Sequence, residues 1–329
     1  MPAQPIDTTT ITDLVAAATA APSMHNAQPW RFRYVSGTRT FELRPDLSRA
    51  MTRTDPDNRA LCLGCAAALF NLRVAAAHAG WDVETLLLPS PADPDLYATV
   101  RLTGTGGADR GLARLFPAIS RRHTSRHPFT EQPIPREVAD ALCDAARQEG
   151  AQMVFPDAWH VEALLDHVYD VEGRDSVRPE RFEDIQNWTR IGQQEAEAAV
   201  DGIPDYAFGP TKSGGRAPVR DFAGRRAVPG RTAAVFETVP QLALLGTTND
   251  RRVDWLRAGQ AMERVLLLAT LHGLSTSLSS HSLEQHDLRE LARDPVSAMG
   301  FVQMVLRLGY GPTGVASPRR PVPEVLDIE

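Results

Sequence analysis

Apolar and polar positions along the chain fall into segments of two periods, and their order predicts a protein of mixed helices and strands. ITDLVAAATA has helical spacing and stops at Pro22 and Ser23. WRFRYVS and RTFELRP alternate on either side of a short SGT connector, as the arms of a hairpin do. A long alanine-rich helix should start where Asp55 can cap it and Pro56 suits its first turn, and stop at Gly80. VETLLL and YATVRL follow as strands, and a Pro-Arg-Glu start opens an amphipathic helix in EQPIPREVADALCDAA. From Trp255 the early pattern returns: WLRAGQAMERVLLLATLHG is a helix ending at Gly273, followed by STSLSS, a helix near SLEQHDLREL and the apolar strand FVQMVLRLG.

A long buried helix leading into strands thus occurs twice, which predicts a duplicated unit whose halves, 1–115 and 116–329, pair as two subunits of a dimer would. The alternative is two unrelated α+β domains. Within the second half, from about Glu172 to Thr232, runs a stretch rich in Arg, Gly and Pro with little periodicity outside WTRIGQQEAEAAV. Insertions of this size are lids or disordered segments, and Trp188, Tyr206, Phe208 and Phe222 favour an ordered lid.

Composition narrows the function. At 329 residues the chain has room for two units of domain size. The N-terminus has no basic region followed by an apolar stretch, and no unbroken apolar run is long enough to span a bilayer, so a cytoplasmic protein without a membrane anchor is expected. A net charge of -6 with no block of like charge argues against nucleic acid as a partner and for a small ligand. Lys212 is the only lysine, so there is no GxxxxGK phosphate loop, and a pyridoxal Schiff base would have to form in the loop TKSGG. Cys62 and Cys65 lie inside the first long helix and Cys143 is remote, so neither a disulfide framework nor a metal site is expected.

Two segments carry candidate chemistry. In APSMHNAQPWRF a proline-terminated helix is followed by Ser, Asn and Gln, short polar side chains that could rim a heterocycle or form an ordinary turn. In RRHTSRHPF, three arginines with a Thr and a Ser offer forked donors and hydroxyls to a phosphate, or make a solvated basic turn. The first run resembles the APSxxNxQPWxF segment of nitroreductase-family flavoproteins. The second resembles that family's RR-S/T-x-R segment, which holds the phosphate of FMN. By these matches Pro22, Ser23, His25, Asn26 and Gln28 approach the flavin, while Arg121, Arg122, Thr124, Ser125 and Arg126 take the phosphate. GLSTSLSSHSLE is similar to the family loop beside the flavin ring and places Ser279, Ser280 and His281 there; GYGPTGVASPRRPVPEVL supplies Arg319 as the late arginine that returns to the phosphate. Many nitroreductases have Glu-Gly near flavin N5, where this chain has Ser280 and His281. His281 is either a proton donor or structural.

The phrases DPDNRALCLGCAAALFNLRVAAAHAG, ISRRHTSRHPF, DGIP and DWLRAGQAMERVLLLAT are most similar to the Acg-type branch of actinobacteria, fused double nitroreductases with a lid over FMN. The resemblance implies an α+β nitroreductase fold and a pseudo-dimer, monomeric or as a homodimer. The first half carries APSMHNAQPW without an RRHTSR-like run before it, and the second carries RRHTSR without APSxxN after its helix. Together they make one composite FMN site per chain. Three functions remain: an oxidoreductase passing hydride from NADH or NADPH through FMN to a small acceptor, a store that sequesters FMN under the lid, and a specialised biosynthetic dehydrogenase on the same scaffold.

Overall fold

A computed structural model describes residues 6–175, 179–224, 226–280, 283–284, 289, 292–293, 297 and 299–329. In chain order, α1 (Thr8–Thr19), the hairpin β1 (Trp30–Val35) and β2 (Thr40–Pro45), the long helix α2 (Arg59–His78), β3 (Trp81–Leu87) and β4 (Ala98–Thr105) make the first unit. Two single turns, α3 (Arg110–Ala113) and α4 (Phe116–Ile119), lead to α5 (Arg136–Gln148), β5 (Gln152–Val154) and α6 (Ala158–Asp175). The insertion continues with α7 (Pro179–Asn187), β6 (Thr189–Arg190), α8 (Gln193–Ala198), β7 (Ile203–Pro204), β8 (Thr211–Gly214) and β9 (Ala233–Val235). The chain then returns to β10 (Gln241–Thr247), the long helix α9 (Arg252–Leu271), β11 (Ser275–Ser279), β12 (Phe301–Gly309) and β13 (Leu326–Ile328).

Two helix-on-sheet units result. α2 packs on a five-stranded sheet of order β13-β1-β2-β4-β3, and α9 on a four-stranded sheet of order β11-β12-β10-β5. α1 flanks α2 as α5 flanks α9, and the units meet where the two long helices pack together. That seam is close because Gly259 lies on it: a Cβ there would stand 2.4 Å from the Leu63 carbonyl oxygen and 2.6 Å from Ala66 Cβ. The alanine run of α2 has the same use, since small side chains let two helices approach. It also makes α2 long and apolar enough to cross a membrane, and 94% of that apolar stretch is instead buried inside the protein. Cys62 and Cys65 belong to this interior, where burial pushes the Cys62 thiol up to about 12.

Several expectations shift in detail. α2 starts at Arg59, not near Pro56, yet Asp55 still caps it by accepting from the amides of Ala60 and Leu61 at 3.0 and 2.9 Å. The last strand departs from a division at residue 115: β13 lies parallel to β1, so the chain's end completes the first unit's sheet. In WTRIGQQEAEAAV only Gln193–Ala198 is helical, after the two-residue strand Thr189–Arg190. The helix expected near SLEQHDLREL falls largely outside the described residues.

The turn after α4 is held against the second sheet. Thr124 forms an isolated parallel bridge with Thr276, and Ser125 donates its amide to the Thr276 carbonyl at 2.8 Å. Deeper, Arg307 on β12 is wholly buried against Glu237, whose carboxylate also accepts the Phe129 amide at 3.0 Å. Removing one member of such a pair costs about 3 to 5 kcal/mol, so it fixes the entry of β10 and the exit of the arginine run together.

Candidate functional site: a cationic cavity between the two units

The loop after α1 and the turn after α4 face each other across a cavity of about 1040 Å³ counted to its open mouth. Pro22, Ser23, His25 and Asn26 line one wall, and Arg122, Thr124 and Arg126 another; Ser280 and Arg319 line it too. α2 supplies Ala60, Leu63 and Gly64 to the floor, while the insertion adds Ile203, Val219, Arg220 and Phe222. The segments singled out from either half therefore converge on one space.

Not every expected residue reaches it. Gln28 is fully buried behind the loop: its amide nitrogen donates to the Val200 carbonyl at 2.9 Å, and its side-chain oxygen accepts the Arg320 amide at 2.9 Å. Ser125 donates to the Pro312 carbonyl at 2.7 Å. Ser279 is buried on β11 and does not line the cavity. Arg121 is exposed and lines a separate polar groove with His123, Ser275 and Thr276. His281 lies outside the described residues.

Asn26 reaches the cavity but acts as a tie. Its nitrogen donates to the carbonyls of Gly202 and Pro318 at 2.9 and 3.0 Å, and its oxygen accepts from Arg319 at 3.0 Å. These bonds hold a costly backbone: His25, Asn26 and Gln28 all have positive φ, at 49, 56 and 53°. Each non-glycine residue in that region costs roughly 1 to 2 kcal/mol, and such strain persists where the surroundings over-determine it, often at binding sites. Arg319 likewise spends its guanidinium on protein, donating to the carbonyls of Thr19, Ala20 and Ala21 and to Asn26.

The cationic side chains form two groups. In the first, buried Arg122 faces Glu263 of α9 at 3.5 Å, with Arg319 and His123 beside them. Arg122 donates one nitrogen to the Ala20 carbonyl at 3.1 Å, whereas its Nε and Nη1 are buried without a hydrogen bond. In the second, Phe222 is the hub: the edge of the His25 ring meets it at 5.6 Å and the Arg126 guanidinium lies 4.9 Å from its centroid. Arg126 also donates to the Ala207 carbonyl at 2.9 Å, and Arg220 pairs with Glu284 through both nitrogens at 3.0 and 3.3 Å. Burial, then the charges of Arg220 and Arg126, push His25 down to about 3, so it stands neutral with Nε2 unpartnered.

Glu263 went unmarked in the sequence, although its signal was there: an acid in AMERV with Gly259, Leu266 and Leu267 at helical spacing must face the core. Burial raises it from 4.5 to about 7, and the Arg122 charge only partly opposes this. A carboxyl whose folded pKa is raised holds its proton longer than in the unfolded chain, so its contribution is present in acid and lost as pH rises from 4.5 through about 7. Glu263→Gln should remove that slope. Denaturant unfolding of the flavin-free protein should show the variant more stable than the parent by up to about 3 kcal/mol at about pH 8, and near parity at about pH 4. An equal difference at both pH values would mean that Glu263 does not titrate in this window.

A nitroreductase-family model matches residues 119–310, more than half of the chain. The chain belongs to the nitroreductase family. "Putative NAD(P)H nitroreductase Rv3131" of Mycobacterium tuberculosis is 31% identical, covering 98% of this chain and 92% of the relative. "Putative NAD(P)H nitroreductase acg" of the same species is 28% identical over 100% and 98%. Among solved structures, a nitroreductase with bound FMN from Bacteroides fragilis is similar at 12% identity and a TM-score of 0.37, covering 60% of this chain and 88% of that one. The nitroreductase match begins at Ile119, just before Arg121 and Arg122, and ends at Tyr310 after β12. It leaves the Pro22–Gln28 loop to the rest of the chain, which the full-length relatives cover.

Proposed function

We propose that this nitroreductase-family chain is an oxidoreductase that binds one FMN in the cavity between its two units and moves reducing equivalents from NADH or NADPH to a small acceptor. The observation that supports this most is the buried Arg122, whose Nε and Nη1 make no hydrogen bond, Nε alone having the longer ion pair to Glu263, facing a cavity that both motif segments share. A buried unpaired donor costs about 1 to 3 kcal/mol, and a phosphate oxygen relieves it with a charge-assisted bond. Arg122 would hold the phosphate, with the Thr124 hydroxyl beside it; Arg319, its donors already engaged, fixes the loop that carries Asn26 and contributes charge. Bound there, the flavin supplies the hydride chemistry. Leu63, Gly64 and Phe222 of the lining would hold the ring and shield it from water, and burial keeps His25 neutral.

The flavin-store reading has its own support: the insertion reaches over the cavity and is tied down through Gly202 to Asn26, Val200 to Gln28 and Asp201 to Arg49. Anaerobic mixing of the FMN-loaded protein with NADPH or NADH separates the two. The oxidoreductase reading expects loss of the flavin's visible absorbance within turnover time. Flavin that stays oxidised would favour the store.

A further inference from the structure

The seam between α2 and α9 holds a polar cluster that the fold leaves incomplete. Glu263 is wholly buried, and neither of its carboxylate oxygens makes a hydrogen bond. Arg122 meets it only through Nε at 3.5 Å, and the Asn71 amide of α2 lies against the carboxyl with its own oxygen and nitrogen buried and unbonded. Buried polar groups left in this way are costly unless a ligand or a change of protonation completes them. A neutral carboxyl can do so: its O–H donates to Asn71 Oδ1 and its carbonyl oxygen accepts from Asn71 Nδ2. Arg122 is then released toward the cavity it lines. Among the described residues, Arg122 on the turn after α4 and Arg319 on the C-terminal segment face Glu263, with His123 beside them. α4, β10 and β11 carry no charged residue, Arg307 on β12 is paired with Glu237, and Glu149 at the end of α5 is held by Arg73 and Arg264. Even with Arg122 in place, burial lifts Glu263 to about 7. A phosphate on the other side of Arg122 adds negative charge nearby and draws on the same guanidinium, and both effects favour the protonated acid further.

We infer that Glu263 is the exchangeable counter-ion of the phosphate subsite: a carboxylate facing Arg122 before FMN binds, and a neutral acid paired with Asn71 once the phosphate takes Arg122. The proton comes from solvent, and the only bond formed is the Glu263 O–H. This rests on the FMN reading above and deepens it by coupling flavin loading to pH. Glu263 does not line the cavity and acts through Arg122, as a positioning residue. Proton uptake raises Glu263 above its flavin-free value of about 7, so its contribution to FMN binding is fully present in acid and is lost as pH rises through the higher value of the loaded protein.

Calorimetric titration of the flavin-free chain with FMN at about pH 8, in Tris and in HEPES, counts protons through the difference in buffer ionisation heat. At that pH the FMN phosphate is already a dianion, and His123, held below its ordinary value by burial and by Arg122 and Arg319, is neutral. More than about half a proton should be taken up per FMN and none per riboflavin. FMN affinity should fall roughly fivefold to tenfold between about pH 7 and about pH 8.5, with riboflavin affinity flat. Glu263→Gln should bind FMN with no uptake and no such slope, while His123→Gln should keep both. Smaller uptake in the parent, equal uptake with riboflavin, or uptake that survives in Glu263→Gln would overturn the inference. The contrast between FMN and riboflavin in the unaltered chain decides the question where Glu263→Gln does not fold. A chain that gives no heat with FMN fails the flavin reading and this inference together; FMN heat without proton uptake fails this inference alone.

Discussion

Arg122→Gln should weaken FMN binding by roughly tenfold to a hundredfold, the equivalent of one charge-assisted hydrogen bond of about 1.5 to 3 kcal/mol. Glutamine keeps a donor and much of the volume but loses the fork and the charge. Riboflavin, which lacks the phosphate, should bind the variant and the parent alike. Glu263 complicates the variant in a predictable way: deprived of Arg122, the buried carboxyl is pushed further up and stays protonated near neutrality, so the loss of stability is limited. Pairing Arg122→Gln with Glu263→Gln removes the stray acid and should leave the FMN deficit in place. If FMN and riboflavin weaken equally, Arg122 serves the fold through its bond to the Ala20 carbonyl and not the phosphate.

The second large effect should come from replacing the insertion, from about residue 172 to 232, with a short Gly/Ser connector. The core of both units lies outside it: Ile203, Ala207, Phe208, Phe222 and Ala223 form a cluster of their own, separate from the main core shared by α2 and α9. The fold should therefore survive. The cavity would lose Ile203, Val219, Arg220 and Phe222 from its lining, and Asn26 and Gln28 would lose their carbonyl partners at Gly202 and Val200. The strained loop would then be under-determined, FMN should dissociate faster, and turnover on an acceptor should fall on the order of 10²-fold, as misplacement of a substrate does. Stopped-flow release of FMN and steady-state rates check both. A replacement chain that matches the parent in off-rate and turnover would make the segment a surface tether.

How far the sequence reached depended on whether local rules decided the outcome. β1, β2 and β4 and the helix α9 follow from periodicity because each buries one face, β3 alternates only between half-buried and exposed positions, and α2 follows from an apolar run buried on nearly every face. The convergence of Pro22–Asn26 with Arg122–Arg126 came from motif resemblance, since nothing in local spacing says that residues a hundred apart share a cavity. The parts that sequence reasoning placed differently are side chains whose role depends on tertiary neighbours. Asn26 and Gln28 have the right chemistry for a flavin rim, yet the carbonyls of Gly202, Pro318 and Val200 and the Arg320 amide engage them first. Arg319 has the right position, but three carbonyls at the end of α1 and the following turn take its donors. The contribution of the insertion, Arg220 and Phe222 to the lining, had no signal beyond aromatic content, because a segment without periodicity gives no orientation for its side chains.

The most direct test of the composite site is the flavin content of the protein after reconstitution with excess FMN, desalting and heat release, measured against protein concentration. One cavity built from both halves predicts one FMN per chain. Two flavins per chain, retention of FAD in preference to FMN, or no retained flavin would contradict it.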